Sequence, residues 1–406
     1  MNRFDVIICG GGIVGAAAAA ALGQAGLQVA LVEARPAQAA AADNATRDPR
    51  VFAITRASER IFRSLGVWDG MAAREVSAFR NMEVWDAGGA GVVRFDCAEL
   101  GEPCLGYIIE PEVILAALLD RLLQLDNVSL FQPARFRAMR VNGSQVEVDI
   151  EGARTLTAKL VIAADGVRSP VREALGIETR FHDYAQSSVV ALVRTEASHQ
   201  ATAWQRFLPG GPLAFLPLNG GWCSIVWTLP GAEAERVLGL DREAFHDALG
   251  SASGYRLGRI MDSGRRESWP LQRMHAQRYV GERVALIGDA AHAIHPLAGQ
   301  GVNLGLLDAA ALAEVIIDAA NSGRDPGVRS ILRRYERWRR GDNLLMMSAM
   351  DGFNRLFSNA VPPLQRLRNL GLSLANRAAP ARHVLMRHAM GLSGDLPRLA
   401  RAPESA

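Results

Sequence analysis

The chain begins with three apolar stretches that differ in length and residue type. Phe4–Cys9 is a short apolar run that ends at a glycine, which predicts a buried strand. Val14–Ala25 is rich in alanine and predicts a helix, and Gly26 supplies the glycine with which many helices end. Leu27–Glu33 is again short and apolar, as expected for a strand buried on both faces. The pattern therefore predicts a βαβ unit of two parallel strands and a connecting helix.

A different pattern, the alternation of apolar and polar residues, starts near residue 81. It runs from Asn81 to Phe95 and returns from Ser187 to Leu229, where Pro209–Pro212 and Asn219–Gly221 separate the predicted strands. Alternation with period two is typical of strands with one buried face, and Gly, Pro and Asn clusters are typical of turns. We therefore expect an antiparallel sheet inserted between the pieces of a parallel α/β domain.

The flanking segments return to the α/β pattern. Ala57–Leu65 and Glu112–Leu125 predict amphipathic helices, and Val284–Ile287 predicts another buried strand. A long helix is predicted from about Gly301 to Ala320, and helices continue beyond about residue 327. The chain is long enough for two or three domains, each with its own core.

Composition limits the classes of protein to which the chain can belong. Hydrophobic residues make up 49% and charged residues 21%, as in ordinary soluble proteins, and a net charge of +3 argues against nucleic-acid binding. Residues 6–32 contain no charged residue, which is the length of a membrane span. The glycines within this run and Asp5 before it argue against both a span and a signal peptide. The four cysteines show no paired spacing, which favours reduced thiols in a cytoplasmic protein.

A glycine-rich motif, Gly10-x-Gly12-x-x-Gly15, lies in the turn between the first strand and helix. Gly10 permits a tight turn, Gly12 lets the backbone approach a pyrophosphate, and Gly15 allows the helix to pack closely on the strand. Glu33 lies 18 residues past Gly15, where a carboxylate can accept both hydroxyls of an adenosine ribose. A carboxylate there repels a 2′-phosphate, so the site suits FAD or NAD and disfavours NADP.

Two further motifs follow predicted strands. Asp165-Gly166 comes after an apolar run, although a strand that ends in an Asp-Gly turn is common and carries little weight alone. Gly288-Asp289 follows the strand Val284–Ile287, so Asp289 can accept hydrogen bonds from a polyol. Gly299–Gly301 then opens a helix with free N–H groups, a position that favours negative charge. A reduced isoalloxazine carries its charge near N1 and would be stabilised there.

The three motifs, in this order and with a sheet between them, resemble the FAD-dependent aromatic hydroxylases of the p-hydroxybenzoate hydroxylase type. Within that group, longer segments resemble the hydroxylases of ubiquinone biosynthesis, from Phe4 to about Leu396. These segments are Leu105–Glu110, Gly211–Leu218, Gly288–Gly305 and Phe357–Leu372. The tail is most similar to members that hydroxylate a 2-polyprenyl-3-methyl-6-methoxy-1,4-benzoquinol.

The resemblance implies an α/β fold: a Rossmann-type FAD-binding domain with an inserted antiparallel β-sheet substrate domain and a helical C-terminal tail. The implied FAD-binding parts are 1–75, 99–178 and 271–345; the substrate sheet is 76–98 and 179–270; the helical region is 346–406. It also implies the reaction, in which NAD(P)H reduces FAD, O2 forms a flavin C4a-hydroperoxide, and one oxygen is transferred to an electron-rich ring.

The implied site residues follow from the matching positions. Pro296 is the catalytic position, since it would lie against the flavin face and offer a rigid turn. The residues expected to bind FAD are Gly10, Gly12, Ile13, Val14, Gly15, Glu33, Arg35, Arg50, Asp165, Gly166, Gly288, Asp289, Pro296, Gly299, Gly301, Val302 and Asn303. His292 is interpreted as structural, because lone histidines usually are. A subset of the inserted-sheet aromatics should line an apolar pocket: Trp204, Phe207, Phe215, Trp222 or Trp227.

Two other functions fit the same residues. An isoprenoid double-bond reductase would keep all three FAD motifs, and a non-catalytic flavoprotein could act as a scaffold in a biosynthetic complex. The expected substrates are O2 and a polyprenylated aromatic, in a cytoplasmic protein without nucleic acid. An arginine-rich tail from Arg355 onward favours contact with the inner membrane or with a biosynthetic complex, and a solvated face is the alternative. The sequence leaves the oligomeric state open.

Overall fold

A computed structural model describes residues 3–36, 48–89, 91–152, 154–293, 300–357 and 379–402. Its strands are β1 (Val6–Cys9), β2 (Val29–Val32), β3 (Phe52–Thr55), β4 (Ser77–Phe79), β5 (Asn81–Asp86), β6 (Val92–Asp96), β7 (Gly106–Ile109), β8 (Val128–Phe131), β9 (Phe136–Asn142), β10 (Gln145–Ile150), β11 (Arg154–Ala158), β12 (Leu160–Ala163), β13 (Thr179–Thr195), β14 (Thr202–Leu208), β15 (Gly211–Pro217), β16 (Trp222–Pro230), β17 (Ile260–Ala276), β18 (Val280–Gly281), β19 (Val284–Leu286) and β20 (His292–Ala293).

The helices of the described residues alternate with these strands. They are α1 (Ile13–Gln24), α2 (Arg56–Ser64), α3 (Trp68–Arg74), α4 (Pro111–Leu122), α5 (Pro170–Ala174), α6 (Gly231–Leu238), α7 (Arg242–Ser253), α8 (Gln300–Asn321), α9 (Arg329–Phe357) and α10 (Ala379–Ala389).

A six-stranded sheet in the order β18-β19-β12-β1-β2-β8 forms the centre of the first domain. All of its strands run parallel except β18. The strands β1, β2 and β12 are apolar at every position and fully buried, as a parallel sheet covered on both faces requires. The chain leaves β1 for β2 on one side and reaches β12 on the other, so the carboxyl ends of β1 and β12 mark the point where ligands bind in such sheets.

A small antiparallel sheet, β9–β10–β11, packs against this domain. Val146, Val148 and Leu156 are fully buried in the same core as the parallel strands. The apolar runs within residues 136–158 are short and alternate with polar residues, and this sheet was not predicted from the sequence.

The second large unit is an eight-stranded sheet in the order β20-β17-β13-β16-β15-β14-β5-β6. It is the antiparallel sheet expected from the alternation, and the chain contributes to it twice, at residues 81–96 and again from 179 onward. The pair β5–β14 is parallel, and it joins the earlier segment of the chain to the later one. Two helices, α6 and α7, cover one face of this sheet and were not predicted.

The side of the sheet on which each aromatic residue lies follows from its packing. Phe215 and Trp227 are buried in the cluster that includes Phe245 of α7, so they belong to the face that the helices cover. Trp222 packs instead against the cluster of Ile108, Leu192 and Leu218. Phe207 packs with Val84, and Trp204 borders the helix-side cluster. Of the five candidates for the pocket, Trp222 is therefore the one with contacts toward β7.

The C-terminal part described by the structure is helical. Met386 of α10 and Met390, which follows the helix directly, are buried beside Cys97 and Leu105. All four cysteines are buried as free thiols. No helix in the described parts of the chain is both long and apolar enough to cross a membrane.

Candidate cofactor site

The glycine-rich turn joins β1 to α1, and its backbone geometry accounts for the glycines at positions 10, 12 and 15. Gly10 has φ +107°, and a Cβ there would come within 2.2 Å of the Ala164 carbonyl oxygen. A Cβ on Gly15 would come within 1.9 Å of the Gly10 carbonyl oxygen, so only glycine permits this approach of helix to strand. Around Gly12, no described atom lies within 4 Å of a Cβ position, and no described side chain caps α1. The start of α1 thus offers N–H groups that no described side chain caps.

Glu33 follows β2 and is held beside this turn. Its Oε2 accepts a hydrogen bond from the backbone N–H of Gly11 at 2.6 Å, and its Oε1 accepts one from the N–H of Arg35 at 2.7 Å. A carboxylate has about four acceptor positions, so each oxygen keeps capacity for a ligand hydroxyl. The turn and Glu33 together fit a pyrophosphate beside a ribose that has a free 2′-hydroxyl.

Asp165 lies just beyond β12, next to the glycine-rich turn. Its Oδ2 accepts a hydrogen bond from the N–H of Val171 at 3.2 Å, whereas its Oδ1 is buried with no partner among the described residues. Burial raises the pKa of Asp165, although a hydrogen bond from Ser169 opposes the rise. Gly166 has φ +85°, and no atom of the described residues lies within 4 Å of its Cβ position. A buried acceptor without a partner is rare in native structures and indicates a ligand group.

Gly288 and Asp289 follow β19 and form a short 3-10 turn. Gly288 has φ +56°, and a Cβ there would come within 3.2 Å of the Val14 side chain in α1. The side chain of Asp289 is exposed to solvent, yet the surrounding protein raises its pKa, with His292 opposing the rise.

Arg172, in α5, connects the second and third motifs. Its side chain is buried and donates to the carbonyl oxygen of Ala290 at 2.9 Å and to that of Val167 at 2.7 Å. Since Gly10 also contacts Ala164 and Gly288 contacts Val14, the three motifs meet at one edge of the sheet. We call this the carboxyl edge, formed by the ends of β1, β2, β12 and β19 and the residues that follow them.

The start of α8 is fixed by Asn303, which is buried. Its Oδ1 accepts from the N–H of Thr55 at 3.0 Å, and its Nδ2 donates to the carbonyl oxygen of Ala53 at 2.8 Å. This amide therefore joins α8 to β3, and Gly301 and Val302 lie in the same first turn. Pro296 and Gly299 lie outside the described residues.

Arg50 lies against the large sheet. Its guanidinium forms an ion pair with Asp48 and stands 5.3 Å from the ring centre of Trp269 in β17. The nearby carbonyl of Pro49 accepts a hydrogen bond from Ser224 in β16 at 3.0 Å. These contacts hold residues 48–50 against the large sheet, and the Arg50 side chain is half exposed.

Sequence reasoning did not assign a role to Arg172 or to a buried carboxylate, Asp308, that also contacts this edge. Arg172 lies seven residues after Asp165, and only the fold shows that its buried side chain connects two motifs by hydrogen bonds. Asp308 lies among apolar residues of α8, and a lone acid on an apolar helix face is the signal that could have found it.

Comparison with known proteins identifies the family. The model of the FAD binding domain family matches residues 3–343. Ubiquinone hydroxylase UbiL of Rhodospirillum rubrum is 40% identical over 400 residues, which cover 98% of this chain and 92% of that protein. The 3-demethoxyubiquinol 3-hydroxylase of Escherichia coli is 39% identical over 391 residues, which cover 96% and 98%. The chain belongs to the FAD-dependent monooxygenase family that includes these hydroxylases.

The fold of this monooxygenase agrees with that assignment. The crystal structure of p-nitrophenol 4-monooxygenase PnpA from Pseudomonas putida superposes with a TM-score of 0.79 at 20% identity, over 96% of this chain and 99% of that one. The predicted family, the p-hydroxybenzoate hydroxylase-like fold and FAD as cofactor are thereby confirmed. NAD(P)H as the source of electrons is typical of the family.

Proposed function

We propose that this monooxygenase hydroxylates the ring of a polyprenyl benzoquinol during ubiquinone biosynthesis, with O2 and NAD(P)H as co-substrates. The observation that carries the proposal is the meeting of three motifs at the carboxyl edge, where no described residue pairs with Oδ1 of Asp165 or caps the start of α1. Two relatives that match nearly the whole chain are named for hydroxylation in ubiquinone chemistry.

The fit of the edge to FAD supports a division of labour among its residues. The α1 N-terminus would bind the pyrophosphate and Glu33 the adenosine ribose, while Asp165 and Asp289 would accept hydrogen bonds from the polyol. The residues proposed to contact FAD are Gly10, Gly12, Ile13, Val14, Gly15, Glu33, Arg35, Arg50, Asp165, Gly166, Gly288, Asp289, Gly301, Val302 and Asn303, with Pro296 and Gly299 from the loop outside the described residues. When bound, the flavin supplies reduction by NAD(P)H and activation of O2.

The chain's own contribution to the reaction is to orient the ring and exclude water. Val189, Ala191 and Val193 of β13 face α6 and α7, so Val190 and Leu192 face the opposite side. We propose that the quinol ring binds on this opposite face, because Leu192 packs toward β7 and its cross-strand neighbour Ser224 holds the carbonyl of Pro49, next to Arg50.

The decisive experiment uses isotopic oxygen. The holoenzyme is incubated with NAD(P)H and a short-chain benzoquinol under 18O2, and the product is analysed by mass spectrometry, with H218O as the control. A single labelled oxygen on the ring supports hydroxylation. A gain of two hydrogens without label would show a reductase, and no turnover with FAD bound would favour the scaffold.

Association with a membrane or a complex is a separate proposal. Three described arginines of the tail are paired with acids: Arg382 with Glu99, Arg398 with Asp318 and Glu314, and Arg401 with Asp395. This pairing leaves less free positive charge than the sequence suggests, so we expect weak, salt-sensitive binding to anionic vesicles. Co-sedimentation with vesicles of anionic and of neutral lipid measures it, and equal binding to both would contradict an electrostatic contact.

A further inference from the structure

One buried carboxylate connects the third motif to two helices. Asp308 of α8 is completely buried, and its Oδ2 accepts from the backbone N–H of Gly288 at 3.2 Å and from Nε2 of His292 at 2.5 Å. Its Oδ1 accepts from Nε of Arg339 at 3.0 Å and from Nδ2 of Asn343 at 3.0 Å, both in α9. Since a carboxylate can only accept, Nε2 of His292 carries the proton in this contact.

The partners of Asp308 are themselves fixed. Arg339 is buried and donates a further hydrogen bond to Oδ1 of Asn343 at 3.0 Å, so α9 presents a paired guanidinium and amide. Burial tends to raise the pKa of Asp308, but His292 and Arg339 outweigh it and the pKa is lowered. Asp308 is therefore a charged acceptor at neutral pH. It accepts three hydrogen bonds from side chains and one from the backbone.

The two contacts that Asp308 makes with the third motif lie on either side of Asp289. Gly288 is the first residue of the turn and His292 lies just beyond it, while Asp289 stands between them with its side chain exposed. Gly288 adopts φ +56° and, as a glycine, could adopt many other conformations. His292 also pairs with His275 of β17, which ties the turn to the large sheet.

We propose that Asp308 is a positioning residue for FAD: by holding Gly288 and His292 it fixes the turn that presents Asp289 to the cofactor. The inference rests on the proposed role of Asp289 in binding the polyol of FAD. If the turn adopts the competent arrangement only about a tenth of the time, the apparent affinity for FAD falls about tenfold.

The test compares two aspartate–arginine pairs at opposite edges of the same sheet. In Asp308→Asn, an amide N–H₂ faces donors from Arg339, His292 or Gly288, and the turn loses an anchor. The matched control is Asp325→Asn, because Asp325 forms a two-pronged pair with the buried Arg283 just before β19. Apoprotein of each variant is titrated with FAD by flavin fluorescence, and the thermal midpoint is measured with and without saturating FAD.

We expect Asp308→Asn to weaken FAD binding about tenfold and to lose part of the gain in thermal midpoint that FAD confers. Asp325→Asn should lower the midpoint of the apoprotein and leave the affinity for FAD within about twofold of wild type. Unchanged affinity in Asp308→Asn, or an equal loss in both variants, would overturn the proposal.

A milder variant keeps the test decisive if Asp308→Asn does not fold. Asn343→Ala removes one donor to Asp308 from α9 and touches neither the turn nor its glycine. We expect a loss of about threefold in FAD affinity, and no loss would overturn the proposal. Wild-type protein that fails to bind FAD would refute the proposed site as well, whereas wild-type binding with unaffected variants refutes only the role of Asp308.

Discussion

The two edges of the parallel sheet use the same kinds of side chain in opposite ways. At the amino edge, where β1, β12 and β19 begin, Asp5 pairs with Lys159 at 2.8 Å and Arg283 pairs with Asp325 at 2.7 Å. Arg283 also donates to the carbonyl oxygen of Lys159 at 2.9 Å. At the carboxyl edge, an oxygen of Asp165 is buried without a partner among the described residues, and the start of α1 has no side-chain cap.

The difference shows what marks a ligand site in this fold. The amino edge has a surface recess of about 380 Å³, lined by charged residues that include Asp5, Lys159 and Asp325. Asp5 already pairs with Lys159 and Asp325 with Arg283, so these groups offer little to a ligand. The carboxyl edge keeps hydrogen-bonding capacity that the described residues do not use, and buried unused capacity costs free energy unless a ligand satisfies it. Unsatisfied donors and acceptors, more than the volume of a recess, indicate the site.

The largest expected effect breaks the carboxyl edge itself. Gly10→Ala places a Cβ 2.2 Å from the Ala164 carbonyl oxygen at φ +107°, so the turn must move and the pyrophosphate position is lost. We expect the purified variant to contain no flavin, as measured by its visible spectrum. Gly26→Ala is the control, because Gly26 has φ +84° with no described atom near its Cβ position. It should cost about 1–2 kcal/mol of unfolding free energy and keep FAD; flavin in Gly10→Ala would contradict the model of the turn.

The next largest effect concerns the dependence of the unfolding free energy on pH. Burial, together with the charges of His292, Arg340, Arg180 and Arg273, lowers the pKa of His275 to about 4. The unfolded chain binds this proton near pH 6.5, so stability is lost as pH falls from about 6.5 to 4, by up to roughly 3 kcal/mol. Urea unfolding at several pH values measures how the free energy of unfolding changes with pH. This change should be smaller in His275→Gln than in wild type. His246→Gln alters a less buried histidine and should keep more of this pH dependence. An equal pH dependence in all three proteins would contradict the assignment of the effect to His275.

A substitution at Glu33 tests the adenosine end of the carboxyl edge. Glu33→Gln keeps the shape but replaces one acceptor by a donor that faces the N–H of Gly11 or Arg35. We expect FAD affinity to fall about tenfold, or roughly 1.4 kcal/mol, in a fluorescence titration. Affinity equal to wild type would mean that Glu33 does not contact the cofactor.

The smallest effect is expected from the matched change at the amino edge. Asp5→Asn removes the ion pair with Lys159 and weakens the hydrogen bond from the N–H of Gln28. Exposed pairs contribute little, so unfolding free energy should fall by about 1 kcal/mol or less. FAD affinity should not change; a loss comparable to that of Glu33→Gln would erase the distinction between the edges.

Local patterns were sufficient to predict the parts of the fold that are continuous in sequence. The strand predicted at Phe4–Cys9 is Val6–Cys9, and the helix predicted at Val14–Ala25 is Ile13–Gln24. Both follow from runs of apolar residues whose neighbours in the chain are also their neighbours in space. The glycines of the first motif could be assigned for the same reason, since their geometry depends on one turn.

Features made by residues far apart in the chain could not be predicted. Asp308 meets Gly288, Arg339 and Asn343 only because α8 and α9 pack beside the turn after β19. The side of the sheet on which Trp222 and Trp227 lie depends on where α6 and α7 pack, and alternation alone does not give it. Tertiary packing, not local propensity, decides these contacts.

The parallel pairing of β5 with β14 has a consequence for synthesis on the ribosome. Asn81 of β5 pairs with Thr202, so the hairpin of β5 and β6 emerges roughly 120 residues before its partner strand. At about 5–20 residues per second, the hairpin waits roughly 6–24 seconds with an open strand edge. Glu83, which is buried in the finished sheet, pairs across the hairpin with Arg94 at 2.7 Å. A charge pair on a waiting strand discourages wrong partners, because any strand that adds there must desolvate it.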